Sequence, residues 1–132
     1  MRVYEYFEKN SFHDSYISQV FYDRKGVLRI LIVQLLSELN IDYSNIKDIT
    51  TDDQVEIEVR LTGIDYICHE DMDYLNSEIT SVEVGSINDN EIILVRLYNY
   101  SGGTAYREIY IRGNNLQIEC KVLREINNIR II

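Results

Sequence analysis

The stretch QVEIEVRL, residues 54–61, constrains the fold more than any other part of the chain. Val55, Ile57, Val59 and Leu61 fall at every second position, with Glu56, Glu58 and Arg60 between them. Successive side chains of an extended strand point to opposite faces, so this spacing makes a strand with one dry face and one wet face. Such strands belong to antiparallel sheets with solvent on one side. The rest of the chain reads in the same way. EIILVRLYNY (91–100) is β-branched and aromatic, and SVEVGSI (81–87) precedes it. Asn88-Asp89-Asn90 lies between the two and reads as a hairpin tip. REIYIRGNNLQIECKV (107–122) reads as a second hairpin, with Ile109 and Ile111 in one strand, Gly113-Asn114-Asn115 as the turn and Leu116–Val122 as the return.

KGVLRILIVQLLSELN (25–40) carries both periods. Leu28, Leu31, Ile32, Leu35, Leu36 and Leu39 fit a helical face, whereas Leu28, Ile30 and Ile32 alternate as in a strand. Asp23-Arg24-Lys25-Gly26 reads as a hairpin turn after a strand over Tyr16–Tyr22, and this context favours the strand. NIDYSNIKDITTDD (40–53) is a polar connection, and HEDMDYLNSEIT (69–80) is a loop or short helix. The sum is about seven short-connected strands. The expected fold is mainly β: a single-domain antiparallel sandwich or strongly curved sheet with little helix.

A chain of 132 residues fits one domain and buries about two thirds of its unfolded surface, enough for a core without staples. With 45% hydrophobic and 27% charged residues, the composition is that of a globular protein rather than a disordered one. Cys120 shares its strand face with Leu116, Ile118 and Val122 and reads as a small buried hydrophobe; Cys68 is distant in sequence, and two free thiols are expected. MRVYEYFEKN has no apolar signal-peptide core, and VLRILIVQLL (27–36), interrupted by Arg29 and Gln34, is too short to span a membrane. A cytoplasmic location is expected. The formal charge is 13 − 22 = −9, with a pI near 4.6. That field repels nucleic acid and anionic membranes and favours a basic partner.

Few residues offer themselves for catalysis. His13-Asp14 are sequence neighbours, so on a strand they face opposite ways and are poorly placed to act on one atom. The pair reads as architecture: a turn into a strand, with a short polar side chain capping backbone N–H groups and Asp14 buried and satisfied. The chain has two histidines, too few for a usual zinc set with Cys68 and Cys120 at this spacing. HEDMD (69–73) brings Glu70, Asp71 and Asp73 together, but counted from Asp71 the sixth and twelfth positions are Asn76 and Val82, so the EF-hand pattern fails. No GxSxG, P-loop or GxGxxG is present. No cofactor, metal or enzymatic activity is expected. A metal-dependent hydrolase built on His13, Asp14 and the 69–73 loop is the rival reading. Tyrosine is abundant, at 11 residues with no tryptophan. Tyr98, Tyr100, Tyr106 and Tyr110 cluster around Gly102-Gly103, as suits an interface or the wet face of a sheet.

SFHDSYISQVFYD (11–23), then VLRILIV, then VEIEVRLTGIDYI resembles a pattern of small bacterial proteins, some of them grouped as immunity proteins of polymorphic toxin systems, the immunity protein 50-like group. The matching positions are Phe12, His13, Asp14, Ser15, Ile17, Val20 and Gly63-Ile64, over the first half of the chain. The proline that often precedes the motif is absent. The resemblance implies a stoichiometric inhibitor of a cognate toxin, not an enzyme. Its contact residues would be acidic: Asp52, Asp53, Glu70, Asp71, Asp73 and Glu78, with Tyr98 and Tyr100 alongside. Phe12, His13, Asp14 and Ser15 would be structural. A self-assembling module, dimerising through a tyrosine-rich sheet face, is the alternative.

Overall fold

The computed structural model describes residues 1–12, 14–23, 25–35, 54–69, 77–98 and 106–125. The chain is mainly β. A short helix, α1 (Val3–Lys9), precedes β1 (Ser15–Tyr22), β2 (Leu28–Leu35), β3 (Gln54–His69), β4 (Glu78–Ile87), β5 (Asn90–Tyr98) and β6 (Tyr106–Glu125). All pairings are antiparallel, and the sheet closes on itself in the order β1-β2-β3-β6-β5-β4. The alternation in 54–61 has the expected consequence: Val55, Ile57, Val59 and Leu61 are all buried. Residues 28–35 are strand; residues 36–39 lie outside the described set. Asn88 and Asp89 have φ of 50° and 66°, the left-handed pair of a two-residue hairpin turn. Asn90 already pairs with Ile87.

One expected hairpin is not formed. Residues 106–125 make a single 20-residue strand, so the two short strands expected at 107–122 are one and the count falls from about seven to six among the described residues. The expected turn is instead a bulge inside β6, made by Asn114, Asn115 and Leu116. Thr62 pairs with Gln117 and Ile64 with Gly113, so three residues of β6 face a single residue of β3. The extra backbone bends both strands. A Cβ on Gly63, whose φ is +85°, would stand 2.6 Å from the Asn115 carbonyl oxygen, and one on Gly113 would collide with the Gly63 carbonyl. The two chains cross closely only because both positions are glycine.

The bend divides each long strand between different neighbours in the one closed sheet. The first half of β3 pairs with β2, and the first half of β6 pairs with β5, while β3 and β6 pair with each other from Val55↔Glu125 to His69↔Ile109. At the opposite corner β1 meets β4 through Ser15↔Ile79 and Tyr16↔Glu78.

The N-terminal segment plugs the side that the sheet leaves open. The Met1 carbonyl accepts the Ile118 N–H at 2.7 Å, and Arg2 bridges to Gln117. Val3, Tyr6 and Phe7 share one face of α1, and the rings of Tyr6, Phe7 and Phe12 pack within 5.2–5.7 Å of one another. An apolar void of about 20 Å³, lined by residues including Phe7, Phe12, Ile30, Val59, Ile93 and Ile118, gives a water no polar partner.

Candidate protein-binding surface

The outer face of the sheet along β5, β6 and the second half of β3 collects the side chains that the core excludes. On β6 the buried Ile109 and Ile111 alternate with Tyr106, Glu108, Tyr110 and Arg112. On β5 the buried Ile93, Val95 and Leu97 alternate with Ile92, Leu94, Arg96 and Tyr98. Beyond the corner, Tyr66 and Cys68 of β3 join them. The register sets the neighbours: Tyr66 opposite Arg112, Cys68 opposite Tyr110, Leu94 opposite Tyr110, Ile92 opposite Arg112 and Tyr106 opposite Tyr98. Cross-strand neighbours lie about 5 Å apart at Cβ, so these side chains form one continuous surface.

The aromatic rings are held edge to face. Tyr66 and Tyr110 have centroids 6.0 Å apart, and Tyr98 and Tyr106 5.2 Å. The Arg112 guanidinium lies 4.8 Å from the centre of the Tyr66 ring and 3.4 Å from the Asp65 carboxylate. Arg96 is clasped by Glu83 at 2.5 Å and Glu108 at 3.5 Å. The hydrogen bond and charge of Glu83, then Glu108, push its pKa further up. Tyr66 is 44% and Tyr106 66% exposed. Rings and guanidinium groups fixed in place before a partner arrives lose little entropy on binding, which is why Tyr and Arg dominate binding hot spots.

A hollow between Glu58, Arg60, Glu119 and Lys121 on β3 and β6 carries two charges of each sign. Inside the barrel, burial pushes the Cys120 thiol up to about 11, the nearby Tyr6 hydroxyl opposing that rise. The Tyr6 hydroxyl itself is raised, by burial first and then by Cys120. Both groups stay protonated and unreactive at neutral pH. Both cysteines are free. Val59 is the partner of Cys120, and Cys68 lies nine residues further along β3, roughly 25–30 Å away along an extended strand. That distance rules out a disulfide.

No family model, no curated protein and no solved structure matches the chain.

The structure treats the motif residues separately. Phe12 is buried in the aromatic trio. The Ser15 N–H donates to the Phe12 carbonyl at 3.1 Å, closing a turn, and the Ser15 hydroxyl donates to the same oxygen. Asp14 is exposed with φ of 64°, so the burial of Asp14 expected from sequence is corrected. Ser15 is the buried polar group, and Asp14 supplies the left-handed backbone that short polar residues tolerate. His13 lies outside the described residues, as do Asp52, Asp53, Glu70, Asp71, Asp73 and Tyr100. Glu78 and Tyr98 are described and stand opposite each other on β4 and β5, at one margin of the aromatic surface. Among the described residues no group of three His, Cys, Asp or Glu could hold a metal, and no helix is long and apolar enough to cross a membrane. Tyr66, Arg112, Ile92 and Leu94 were not singled out by sequence. Their signal is faint: both parities of EIILVRLY are apolar, which marks a strand with two contact faces.

Proposed function

We propose that this protein binds another protein stoichiometrically, as an immunity protein that neutralises a cognate bacterial toxin. The observation that carries the reading is the preset aromatic and arginine surface of β3, β5 and β6. Its composition matches that of interface hot spots. The charge of −9 directs it toward a basic partner, because complementary fields speed encounter. Toxins that act on nucleic acid carry basic clefts of that kind, and the FHDS pattern at 12–15 points the same way. The acidic segments around Asp52-Asp53 and 70–73 would add to the attraction.

The test is co-purification with the product of the neighbouring reading frame. A 1:1 complex that dissociates as salt is raised, and that Tyr66→Ala with Tyr110→Ala weakens at least tenfold, is the expected result. A neighbouring product that passes through unbound at low salt would overturn the reading. A homodimer is the second reading, favoured by the same paired tyrosines. Sedimentation of the isolated protein separates the two, since two copies at −9 repel one another.

A further inference from the structure

Among the described glycines, three are held to that residue type by their own chain: backbone presses on the place a Cβ would take at Gly26, Gly63 and Gly113. Gly85 is different. A Cβ built there meets no atom within 4 Å. Gly85 is not among the glycines with positive φ. It pairs with Ile92 inside an unbroken ladder from Ser81 to Ile87, so it marks no bulge. Glycine weakens a strand interior. With bulge, bend and internal packing set aside, what accounts for a strand glycine is the close approach of something from outside.

The register gives the direction of that approach. Val82 and Val84 pack against the core, so Glu83, Gly85 and Ile87 face outward. Gly85 stands opposite Ile92, Ile92 opposite Arg112, and Arg112 opposite Tyr66. Gly85 is therefore a notch at the margin of the tyrosine surface, continuous with it. Its floor is backbone. Its walls are Ile92 across the ladder, Leu94 on the diagonal, and Ile87, which is 59% exposed. The charged groups beside it are already engaged: Glu83 with Arg96 at 2.5 Å, and Arg112 with Asp65 at 3.4 Å. An ionic side chain entering the notch would exchange water for apolar walls.

We infer that the notch over Gly85 receives one large apolar side chain, of leucine or phenylalanine size, projecting from the partner protein, and that this knob anchors the contact. The inference rests on the protein-binding reading above and adds the chemistry of the contact. The net charge of −9 acts at long range and sets how fast the partner arrives. The knob acts at contact and sets how long it stays, as anchors that fill a desolvated pocket do. A second copy of this chain is the wrong occupant: it could offer its own Ile87, but it brings the same charge of −9.

The test has two arms. In the first, benzyl alcohol stands in for the knob and is titrated at millimolar concentrations into methyl-labelled protein followed by NMR. Saturating shifts at the methyl groups of Ile87, Ile92 and Leu94, lost in Gly85→Val, are expected. In the second, Gly85→Ala and Gly85→Val are compared for affinity toward the product of the neighbouring reading frame. Valine should weaken binding at least tenfold and alanine less, with the melting temperature unchanged or higher, since a β-branched residue suits a strand. Four results would each overturn the inference: benzyl alcohol shifts that survive Gly85→Val or fall only on the barrel interior, equal partner affinity for all three proteins, a melting temperature lowered by Gly85→Val, or a homodimer that Gly85→Val abolishes. A neighbouring product that does not bind would overturn the immunity reading, and the first arm would still decide whether the notch takes an apolar group.

Discussion

Glu91 sits where the N-terminal segment, the start of β5 and the corner of β6 meet. One carboxylate oxygen accepts the Leu116 N–H at 3.0 Å and the Arg2 guanidinium at 3.0 Å; the other is buried with no hydrogen-bond partner among the described residues. Glu91→Ala leaves the buried Leu116 N–H without an acceptor, at a cost of about 1–3 kcal/mol. The space left by the carboxylate adds about 1 kcal/mol. The Arg2 contact adds less than about 1 kcal/mol, since half of the arginine side chain is in water and solvent screens it. The expected loss is about 2–4 kcal/mol, which at about 4 °C per kcal/mol for a domain of this size lowers the melting temperature by about 8–16 °C. Glu91→Gln keeps a carbonyl oxygen for Leu116 and removes a buried charge, so it should stay within about 1 kcal/mol of the parent. Urea titrations with an unchanged slope measure both, and amide exchange at Leu116 reports the corner directly. Two results would refute the reasoning: alanine costing no more than a surface substitution, or glutamine costing as much as alanine. The second would mean that charge, not the acceptor, holds the corner.

Gly63→Ala should cost about 2 kcal/mol or more, from left-handed strain and the approach to the Asn115 carbonyl, with Gly113→Ala worse; an unmoved urea midpoint for either would show that the strands do not cross as described. At pH 8 Ellman's reagent should titrate one thiol, Cys68, with Cys120 reacting only on unfolding; prompt reaction of both contradicts its burial. The raised Cys120 pKa also sets an alkaline limit. The unfolded thiol ionises from its ordinary 9.0 while the folded one waits until about 11. The stabilisation is therefore fully present below pH 9 and is lost as pH rises through 11. Cys120→Ser should flatten that part of the stability profile, and an unaltered slope would count against it. Tyr66→Ala and Tyr110→Ala should lower the unfolding free energy by no more than about 1.5 kcal/mol, the worth of their edge-to-face pair, so a tenfold or greater loss of partner binding by a protein that is still folded reads as contact.

The strands were legible because their alternation is local. β5, the turn at 88–90 and the first half of β3, 54–61, could each be placed from ten or so residues, whereas the continuation of β3 to His69 was not read as strand. β6 was not placed as one strand, because Gly113-Asn114-Asn115 has the chemistry of a turn, and what keeps the chain extended through it is β3, with Gly63 lying fifty residues earlier. α1 also escaped notice, although Val3, Tyr6 and Phe7 have helical spacing; a seven-residue helix is held by the core it covers rather than by its own propensity. The tyrosines near residue 100 pointed to a surface. Tyr66, which completes it, reaches Tyr110 only because β3 runs on past Gly63 alongside β6.

The shared corner also governs when the protein can finish folding. β3 must lie along β6 for its entire length, and the two are separated by up to 70 positions, Val55 against Glu125. A chain emerging from the ribosome can build the hairpins of β1 with β2 and of β4 with β5 early. Until residues 106–125 are out, sixteen residues of β3 and the inner edge of β5 wait as bare templates for the wrong neighbour. A message broken within β6 would therefore yield not a shorter version of this protein but a sticky precursor of it, and chaperone demand should fall once residues 106–125 have emerged.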